Sequence, residues 1–228
     1  MSARSIRRRS ERESRRRAAR AATAAIGAAL VLAPSAGADI LTVDVAGDGP
    51  VSTCDPGSCT LRDALYQAIF TTGGDDIVFA PAVTSITVSS GDIEISSAVS
   101  IIGPGEGALT IDANDASRIF DIDTAPDQPV SISGLTMVDG KSPGGPMGPY
   151  EYGGAIVSSD ADLTLADVTI SSSYATKAGP ALAAFGDVSL TGVTITDNVS
   201  HYEAGGVHVF GDLTITDSTI SDLSLIHI

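Results

Sequence analysis

The sequence contains no tryptophan, and aromatic residues make up only 4% of its 228 residues. So low an aromatic content argues against a conventional aromatic-lined sugar site or a base-stacking site. Only Glu11 and Glu13 of the 28 acidic residues precede position 39, so the rest of the chain has 26 acidic residues. Basic residues are scarce there: Arg62, Arg118, Lys141 and Lys177. The resulting excess of negative charge beyond residue 38 repels phosphate backbones and anionic lipid heads, which excludes nucleic-acid binding.

The N-terminal segment has the organisation of an export signal. Nine of the 13 basic residues lie in the first 20 positions, and residues 21–33 form an apolar run too short to span a bilayer permanently. Ala36 and Ala38 supply the alanine pattern of a cleavage site. The sequence predicts a signal peptide over 1–38, a mature start at Asp39, and a secreted or cell-surface protein without a transmembrane segment. The alternative, a basic disordered tail on a cytosolic protein, leaves the apolar run unexplained.

Cysteine is nearly absent as well, with only Cys54 and Cys59 in the chain. The four residues between them, Asp-Pro-Gly-Ser, are typical of a turn. Two cysteines without a nearby His are too few ligands for a structural zinc site. In the oxidising compartment that export implies, they are predicted to pair as a short disulfide loop. No cofactor is predicted, although so acidic a surface could bind calcium.

The chain does contain an internal repeat. Glycine-containing elements begin at Gly153, Gly179 and Gly205, at intervals of 26 residues. Behind each lie two short runs in which apolar and polar residues alternate, and these runs recur every 25 residues: Leu163–Leu165 with Val168–Ile170, Val188–Leu190 with Val193–Ile195, and Leu213–Ile215 with Ser218–Ile220. Weaker copies precede them, so the unit repeats about six times.

The alternation in these runs predicts short β-strands with one buried face. A unit of about 25 residues cannot bury that face alone and is expected to stack as parallel strands about 4.8 Å apart. The prediction is an all-β parallel solenoid of about six coils over residues 77–222. Its inward-pointing residues are predicted to be Leu163, Leu165, Val168, Ile170, Leu190, Val193, Ile195, Leu213 and Ile215. Asn114, Asn198 and the glycine pairs are predicted at tight turns, because they tolerate the left-handed backbone region.

One segment departs from the strand pattern. Four apolar residues fall on one face of a helix, namely Leu61, Leu65, Ala68 and Ile69. Thr60 and Asp63 form the pattern of a capping box at its start. A short amphipathic helix before the first coil is suited to cover the open end of a solenoid. Residues 39–76 are therefore predicted to form an N-terminal cap with the disulfide loop and this helix.

The cap carries a recognisable motif. Residues Cys59 to Ala64, Cys-Thr-Leu-Arg-Asp-Ala, resemble the CSLREA motif of secreted bacterial proteins, with Thr for Ser and Asp for Glu. The Gly-Gly-Ala-Ile element resembles repeats of the right-handed parallel β-helix, or pectin-lyase-like, superfamily. Together the resemblances cover residues 40–222. They imply that fold and, for catalytic members, polysaccharide lyases and hydrolases with an outer groove, Asp clusters for calcium or acid–base work, and Arg or Lys as proton abstractor.

Few residues offer such chemistry. Asp75 and Asp76 are adjacent, but neighbours on an extended chain point to opposite faces. Asp112, Asp115 and Arg118 are the catalytic candidates, against the alternative that they form a polar turn between coils.

The ligand-binding candidates lie in two loops: Tyr150 and Tyr152 in an insertion over 139–152, and His201, Tyr202, Glu203 and His208 in a later polar segment. Insertions in solenoids protrude and often carry recognition, and tyrosine rings can stack on sugars. The alternatives are a flexible Gly- and Pro-rich bulge and a solvated loop followed by an outward-facing His on a strand.

The last six residues, Leu-Ser-Leu-Ile-His-Ile over 223–228, equal the in-frame translation of a widely used transposase end sequence. They are predicted to be a non-native tail, with the natural protein continuing beyond Asp222.

These features predict an exported scaffold for adhesion or carbohydrate binding, acting by multivalent contact along a stacked face. Its expected partner is a polysaccharide or another cell-surface ligand, and no catalytic site is evident. The alternative is a polysaccharide lyase or glycoside hydrolase, because one fold hosts both roles.

Overall fold

The computed structural model of the protein describes residues 37–125, 128–143, 151–203 and 205–225. Within these ranges the chain forms one helix and three parallel β-sheets of eleven, five and three strands. The chain passes through the sheets in turn, and each passage, here called a coil, stacks on the one before. The mainly β fold with long parallel sheets agrees with the predicted solenoid.

The eleven-stranded sheet consists of two rows of strands. The first row is β1 (Ile40–Val43), β2 (Asp75–Phe79), β5 (Val99–Ile102), β8 (Val130–Val138), β10 (Leu163–Ser171), β13 (Val188–Thr191) and β17 (Leu213–Thr216). The second row is β3 (Ser85–Thr87), β6 (Thr110–Asp112), the C-terminal parts of β8 and β10, β14 (Thr194–Thr196) and β18 (Thr219–Ile220). Partners in the later coils lie 25 residues apart, as predicted.

Two smaller sheets complete each coil. The five-stranded sheet contains β4 (Ile93–Ile95), β7 (Phe120–Ile122), β9 (Ile156–Ser158), β12 (Leu182–Ala184) and β16 (Val207–Val209). The three-stranded sheet contains β11 (Tyr174–Ala175), β15 (Val199–Ser200) and β19 (Ser224–Leu225). Strand β19 includes two residues of the predicted non-native tail, and residues 226–228 lie outside the described residues.

The core follows the alternation in the sequence. In β10 the buried residues are Leu163, Leu165, Val168 and Ile170, and exposed or half-buried residues separate them. The inward positions predicted in β13 and β14 are buried in the same way. Leu213 and Ile215 were also predicted to be buried, but they are 41% and 46% exposed. The reason is that β17 is the last strand of its row among the described residues, so none of the described strands covers it.

The predicted spacing of the glycine elements is wrong by one residue in the last coil. Ile156 pairs with Leu182, which agrees with the first interval of 26. Leu182 then pairs with Val207, so Gly205 lies opposite Pro180 and the second interval is 25. A one-residue slip would move every side chain of the strand to the other face, so strand pairing rather than the glycines sets the register.

The two asparagines predicted at tight turns differ. Asn114 has a left-handed backbone with φ of 51°, as predicted. Asn198 was predicted wrongly, because its side chain is fully buried and its neighbour Asp197 has the positive φ, 54°. The Asn198 amide accepts a hydrogen bond from the Ser173 N–H at 2.9 Å and donates to the carbonyls of Ile170 and Thr196 at 3.0 and 2.8 Å. It therefore joins two coils.

The N-terminal cap contains helix α1 (Leu61–Ala68) and the predicted Cys54–Cys59 disulfide. The capping box is confirmed: the Thr60 N–H donates to the Asp63 carboxylate at 3.1 Å, and the Asp63 N–H donates to the Thr60 hydroxyl at 3.2 Å. Leu61, Leu65 and Ala68 of α1 are buried, and the helix packs against β1, β2 and β4. Ile69, predicted on the same face, is instead 45% exposed, because the helix ends at Ala68. Across the described ranges, no helix is long and apolar enough to cross a membrane.

Candidate ligand-binding face

The outward-facing side of the five-stranded sheet presents acidic and aromatic side chains that can contact a ligand. Strand register places five residues side by side in one row across the sheet: Glu94, Asp121, Val157, Ala183 and His208. Residues two positions further on share that face. These residues form a second row, which includes Asp123, Phe185 and Phe210. Their backbone N–H groups donate to carbonyl oxygens of the neighbouring strand, so the parallel pairing extends to this row. We call these two rows, together with Asp92, the outer face.

An acidic pocket lies at the N-terminal end of the outer face. It is lined by Asp92 and Glu94 around β4 and by Asp121 and Asp123 around β7, and it encloses about 190 Å³. The parallel pairing of β4 and β7 brings the four carboxylates together, because Glu94 lies directly opposite Asp121. The pocket is therefore a concave patch of hydrogen-bond acceptors with negative charge.

Arg118 lies buried beside this pocket and is only 2% exposed. Its guanidinium forms an ion pair with Asp92 at 3.0 Å and lies 4.0 Å from Asp121. The same group donates hydrogen bonds to the carbonyl oxygens of Tyr152 and Gly153 at 2.9–3.2 Å. Arg118 therefore links the acidic pocket to the end of the insertion. Its burial leaves it unsuited to abstract a proton from a polymer.

Arg62, in the cap helix, contacts the loop that leads into the pocket. It binds Asp48 through two hydrogen bonds of 2.7 and 3.2 Å, and it donates to the carbonyls of Gly91 and Asp92 at 2.6 and 2.8 Å. Burial opposes ionisation of Asp48, but hydrogen bonds from Arg62 and two backbone N–H groups outweigh it and lower the Asp48 pKa. Arg62 thus joins the cap to the loop that presents Asp92.

The carboxyl group of Asp121 has a raised pKa. Burial raises its pKa above the ordinary value, and the carboxylates of Asp92, Asp123 and Glu94 raise it further, against the opposing effect of Arg118. A carboxyl group with a raised pKa can act as a proton donor.

The raised pKa of Asp121 predicts a stability change in the variant Asp121→Asn. Because the folded-state pKa lies above the unfolded value, stability falls as the pH rises from that unfolded value through the folded one. The variant lacks this loss, so its urea midpoint is expected to exceed that of the wild type at pH 7. The two midpoints are expected to agree below about pH 3, where the carboxyl group is protonated in both the folded and the unfolded state. Asp160→Asn, an exposed position outside the pocket, is the control. A lower midpoint for Asp121→Asn at pH 7 would contradict the prediction.

An aromatic cluster lies at the other end of the outer face. The rings of Phe185 and Phe210, one coil apart, stack in parallel with centroids 4.8 Å apart. His208 lies edge-on to Phe210 at 4.6 Å, and Tyr152 lies 5.5 Å from His208. The Lys177 ammonium is 4.8 Å from the centre of the Tyr152 ring. Phe185 and Phe210 are 39% and 58% exposed, so the cluster is accessible to a ligand.

The structure separates the catalytic candidates. Asp112 ends β6 in the eleven-stranded sheet, whereas Arg118 precedes β7 and faces Asp92. Asp112 and Asp115 lie near Asp139, whose pKa is raised by burial and by these two carboxylates. The three acids therefore form a group at a turn.

Other candidates occupy different positions. Asp75 is fully buried and Asp76 is half-buried, so they face opposite ways, as predicted. His201 packs against Tyr202 at 4.4 Å, and its ring Nδ1 is 3.5 Å from the Tyr174 hydroxyl. The Glu203 N–H donates to the Lys177 carbonyl, next to the aromatic cluster. Tyr150 lies outside the described residues. In the part of the chain that the structure describes, no group of three or more His, Cys, Asp or Glu residues is arranged to hold a metal ion.

Several residues of the outer face were missed from the sequence: Asp92, Glu94, Asp121, Asp123, Phe185 and Phe210. One signal was present, since Ile-Glu-Ile at 93–95 and Phe-Asp-Ile at 120–122 share the pattern of an acid between two inward apolar residues. Aligning these two segments would have placed Glu94 beside Asp121. The aromatic residues were too few to form a visible pattern.

Comparison of the chain with protein-family models, with curated proteins and with solved structures gave no match.

Proposed function

We propose that the protein is an exported, extracellular or cell-surface scaffold that binds carbohydrate along the outer face. Its coils form a right-handed parallel β-helix of the pectin-lyase-like type, and its N-terminal segment is a CSLREA-type cap that follows a cleaved signal peptide. The observation that carries the proposal is that exposed aromatic rings and clustered carboxylates share one face of one parallel sheet.

Both ends of the outer face present groups that can contact a sugar. The apolar side of a sugar ring can pack on aromatic rings such as those of Phe185 and Phe210, which bury much area at low entropic cost. Carboxylates accept hydrogen bonds from sugar hydroxyls, and Glu94 and Asp123 supply them in the pocket. Strands in neighbouring coils are about 4.8 Å apart, so a chain of sugars at either end of the face can contact two coils at once.

The charge of the face selects the glycan class. Four carboxylates line the pocket, and in their vicinity the described basic side chain of Arg118 is buried and paired. Like charges across an interface are strongly unfavourable. The proposed ligand is therefore a neutral or amino-sugar polymer rather than a polyuronate.

The test is binding of the full exported chain to three soluble polymers: a neutral glucan, chitosan and polygalacturonate. Binding to the glucan or to chitosan, but not to polygalacturonate, is expected. Phe210→Ala should weaken that binding about tenfold or more, because stacking of this kind contributes on the order of 1 kcal/mol beyond the buried area.

Phe70→Ala is the matched control, because Phe70 is 73% exposed but follows the cap helix, away from the outer face. It should bind like the wild type. Equal losses in the Phe210 and Phe70 variants, or no binding to glucan and chitosan, would refute the proposal.

A glycoside hydrolase is the second candidate function, and the raised pKa of Asp121 in a pocket with three further acidic side chains favours it. Hydrolysis of this kind uses a protonated acid and a second carboxylate on opposite sides of the glycosidic bond. Asp121 would be the acid, and Glu94 or Asp123 the second group. A lyase that uses Arg118 as base is disfavoured, because Arg118 is buried and bound to Asp92 and two carbonyls.

The same three polymers distinguish the two functions. Release of new reducing ends that is lost in Asp121→Asn would identify a hydrolase. Binding without release by the wild type would leave the scaffold as the function.

A further inference from the structure

A buried carboxylate lies next to the predicted start of the mature chain. Asp75 is the first residue of β2 and is 0% exposed. One of its carboxylate oxygens accepts a hydrogen bond from the Asp39 backbone N–H at 2.9 Å, and the other accepts from the Thr71 hydroxyl. Burial of a charged carboxylate is costly unless a positive partner offsets the loss of hydration.

The nitrogen of Asp39 is held in place from both sides. Its N–H points at Asp75, and the Asp39 carbonyl accepts from the Asp76 N–H at 2.9 Å, directly before β1 begins to pair with β2. Gly37 has a φ of 112°, and a Cβ atom there would lie 2.6 Å from the Thr72 carbonyl oxygen. The backbone just before Asp39 therefore also lies tightly against the chain that leads into β2.

Among the described residues, the basic side chains that form ion pairs do so with acids other than Asp75. Arg62 pairs with Asp48, and Arg118 pairs with Asp92 and lies 4.0 Å from Asp121. In the uncleaved chain Asp39 offers Asp75 a neutral amide N–H. A free amino group at the same nitrogen is positively charged near neutral pH and can form a stronger, charge-assisted bond.

We propose that Asp75 is the acceptor for the new N-terminal ammonium group of Asp39 and that cleavage of the leader completes the first coil. In this step the export peptidase hydrolyses the bond between the Ala38 carbonyl carbon and the Asp39 nitrogen. Water adds hydroxide to the carbonyl carbon and a proton to the nitrogen, and the resulting amine takes a second proton from solvent. The neutral hydrogen bond to Asp75 becomes a part-buried ion pair between the N-terminal ammonium group and the buried carboxylate.

The inference rests on the predicted export leader and is independent of carbohydrate binding. It assigns a role to cleavage beyond removal of the leader. The precursor has a weaker first coil and folds less stably, which suits a chain that crosses a membrane before it folds. The mature chain gains its last stabilising contact after transport.

The experiment compares two N-termini. The full chain is exported, its mature N-terminus is determined by mass spectrometry, and its unfolding midpoint is compared with that of a chain beginning at Gly37, in which the Asp39 nitrogen remains an amide. The mature chain is expected to start at Asp39 and to unfold about 2–8 °C higher, as a charge-assisted bond replaces a neutral one. A different mature start or equal midpoints would overturn the proposal.

Two variants test whether the difference in unfolding midpoint between the two N-termini depends on the Asp75 carboxylate. Asp75→Asn should abolish the difference between the two N-termini. Asp76→Asn, a neighbour on the opposite face, should retain it. The same difference in Asp75→Asn as in the wild type would overturn the proposal.

A measurement on the wild type covers the case in which Asp75→Asn fails to fold. An α-amine has a lower pKa than a lysine side chain, so it ordinarily reacts first with acylating reagents near neutral pH. In the folded mature protein the Asp39 amine should react after Lys141 and Lys177, and in denaturant it should react first. An α-amine that reacts first in the folded protein would overturn the proposal.

Discussion

Replacing Arg118 with Met is expected to lower the free energy of unfolding by about 3–5 kcal/mol, because it removes a buried guanidinium that pairs with the half-buried Asp92 and binds two carbonyl oxygens. Arg118 is 2% exposed and holds Asp92 together with two backbone carbonyls. Met occupies a similar volume but donates no hydrogen bond, so both carbonyls lose the guanidinium donor and the Asp92 carboxylate keeps only the backbone N–H of residue 118, at 3.0 Å. Urea denaturation measures the loss.

Lys141→Met is the matched control for this variant. It removes the same charge from an exposed position, and such substitutions usually change stability by no more than about 0.5 kcal/mol. The Arg118 variant should also weaken glycan binding, because Arg118 fixes the Tyr152 backbone next to the aromatic cluster. Equal stability of the two variants would show that Arg118 does not join the two ends of the outer face.

Asn198→Asp has the second large expected effect, a loss of about 3–5 kcal/mol at pH 7. The two side chains have nearly the same shape, but Asp cannot donate to the carbonyls of Ile170 and Thr196 and brings a negative charge towards them. Burial would raise the pKa of the new carboxyl group. Stability of the variant should therefore fall from about pH 4 upwards until the folded-state pKa is passed, so its deficit is smaller in acid.

The neighbouring residue supplies the control for Asn198→Asp. Asp197→Asn exchanges the same two side chains in the opposite direction at an exposed position, and Asn tolerates the left-handed backbone found there. Its unfolding midpoint should stay near that of the wild type. A comparable loss in both variants would argue that the turn, rather than the buried amide, stabilises this edge of the coil.

Local features were predictable because they depend on a few neighbouring residues. The alternation in Leu163–Leu165 and Val168–Ile170 identified the two halves of β10, and Thr60 with Asp63 identified the start of α1. The disulfide followed from two cysteines separated by a turn. In each case the pattern that predicts the element is also what stabilises it.

Errors arose where a position depends on the next coil. Gly205 was placed one residue away from its partner, because glycines carry no side chain that would favour one register. Asn198 was assigned to a turn by its residue type, whereas the buried donors and acceptors around it belong to the preceding coil. Leu213 matched the inward pattern but has no further strand among the described residues to cover it.

The outer face shows the same division between local pattern and long-range arrangement. The amino-acid composition determines that this surface is acidic. Because successive side chains of a strand point to opposite faces, the sequence also determines which residues of each strand point outward. Which of those residues meet depends on coil lengths: Phe120 pairs with Ile93 on one side and with Ile156 on the other, across loops of unequal length. Arg118 and Asp92 therefore come together, as do Phe185 and Phe210, only once the coils have stacked. Stacking sets these contacts because hydrogen bonds between coils, rather than proximity along the chain, align the strands.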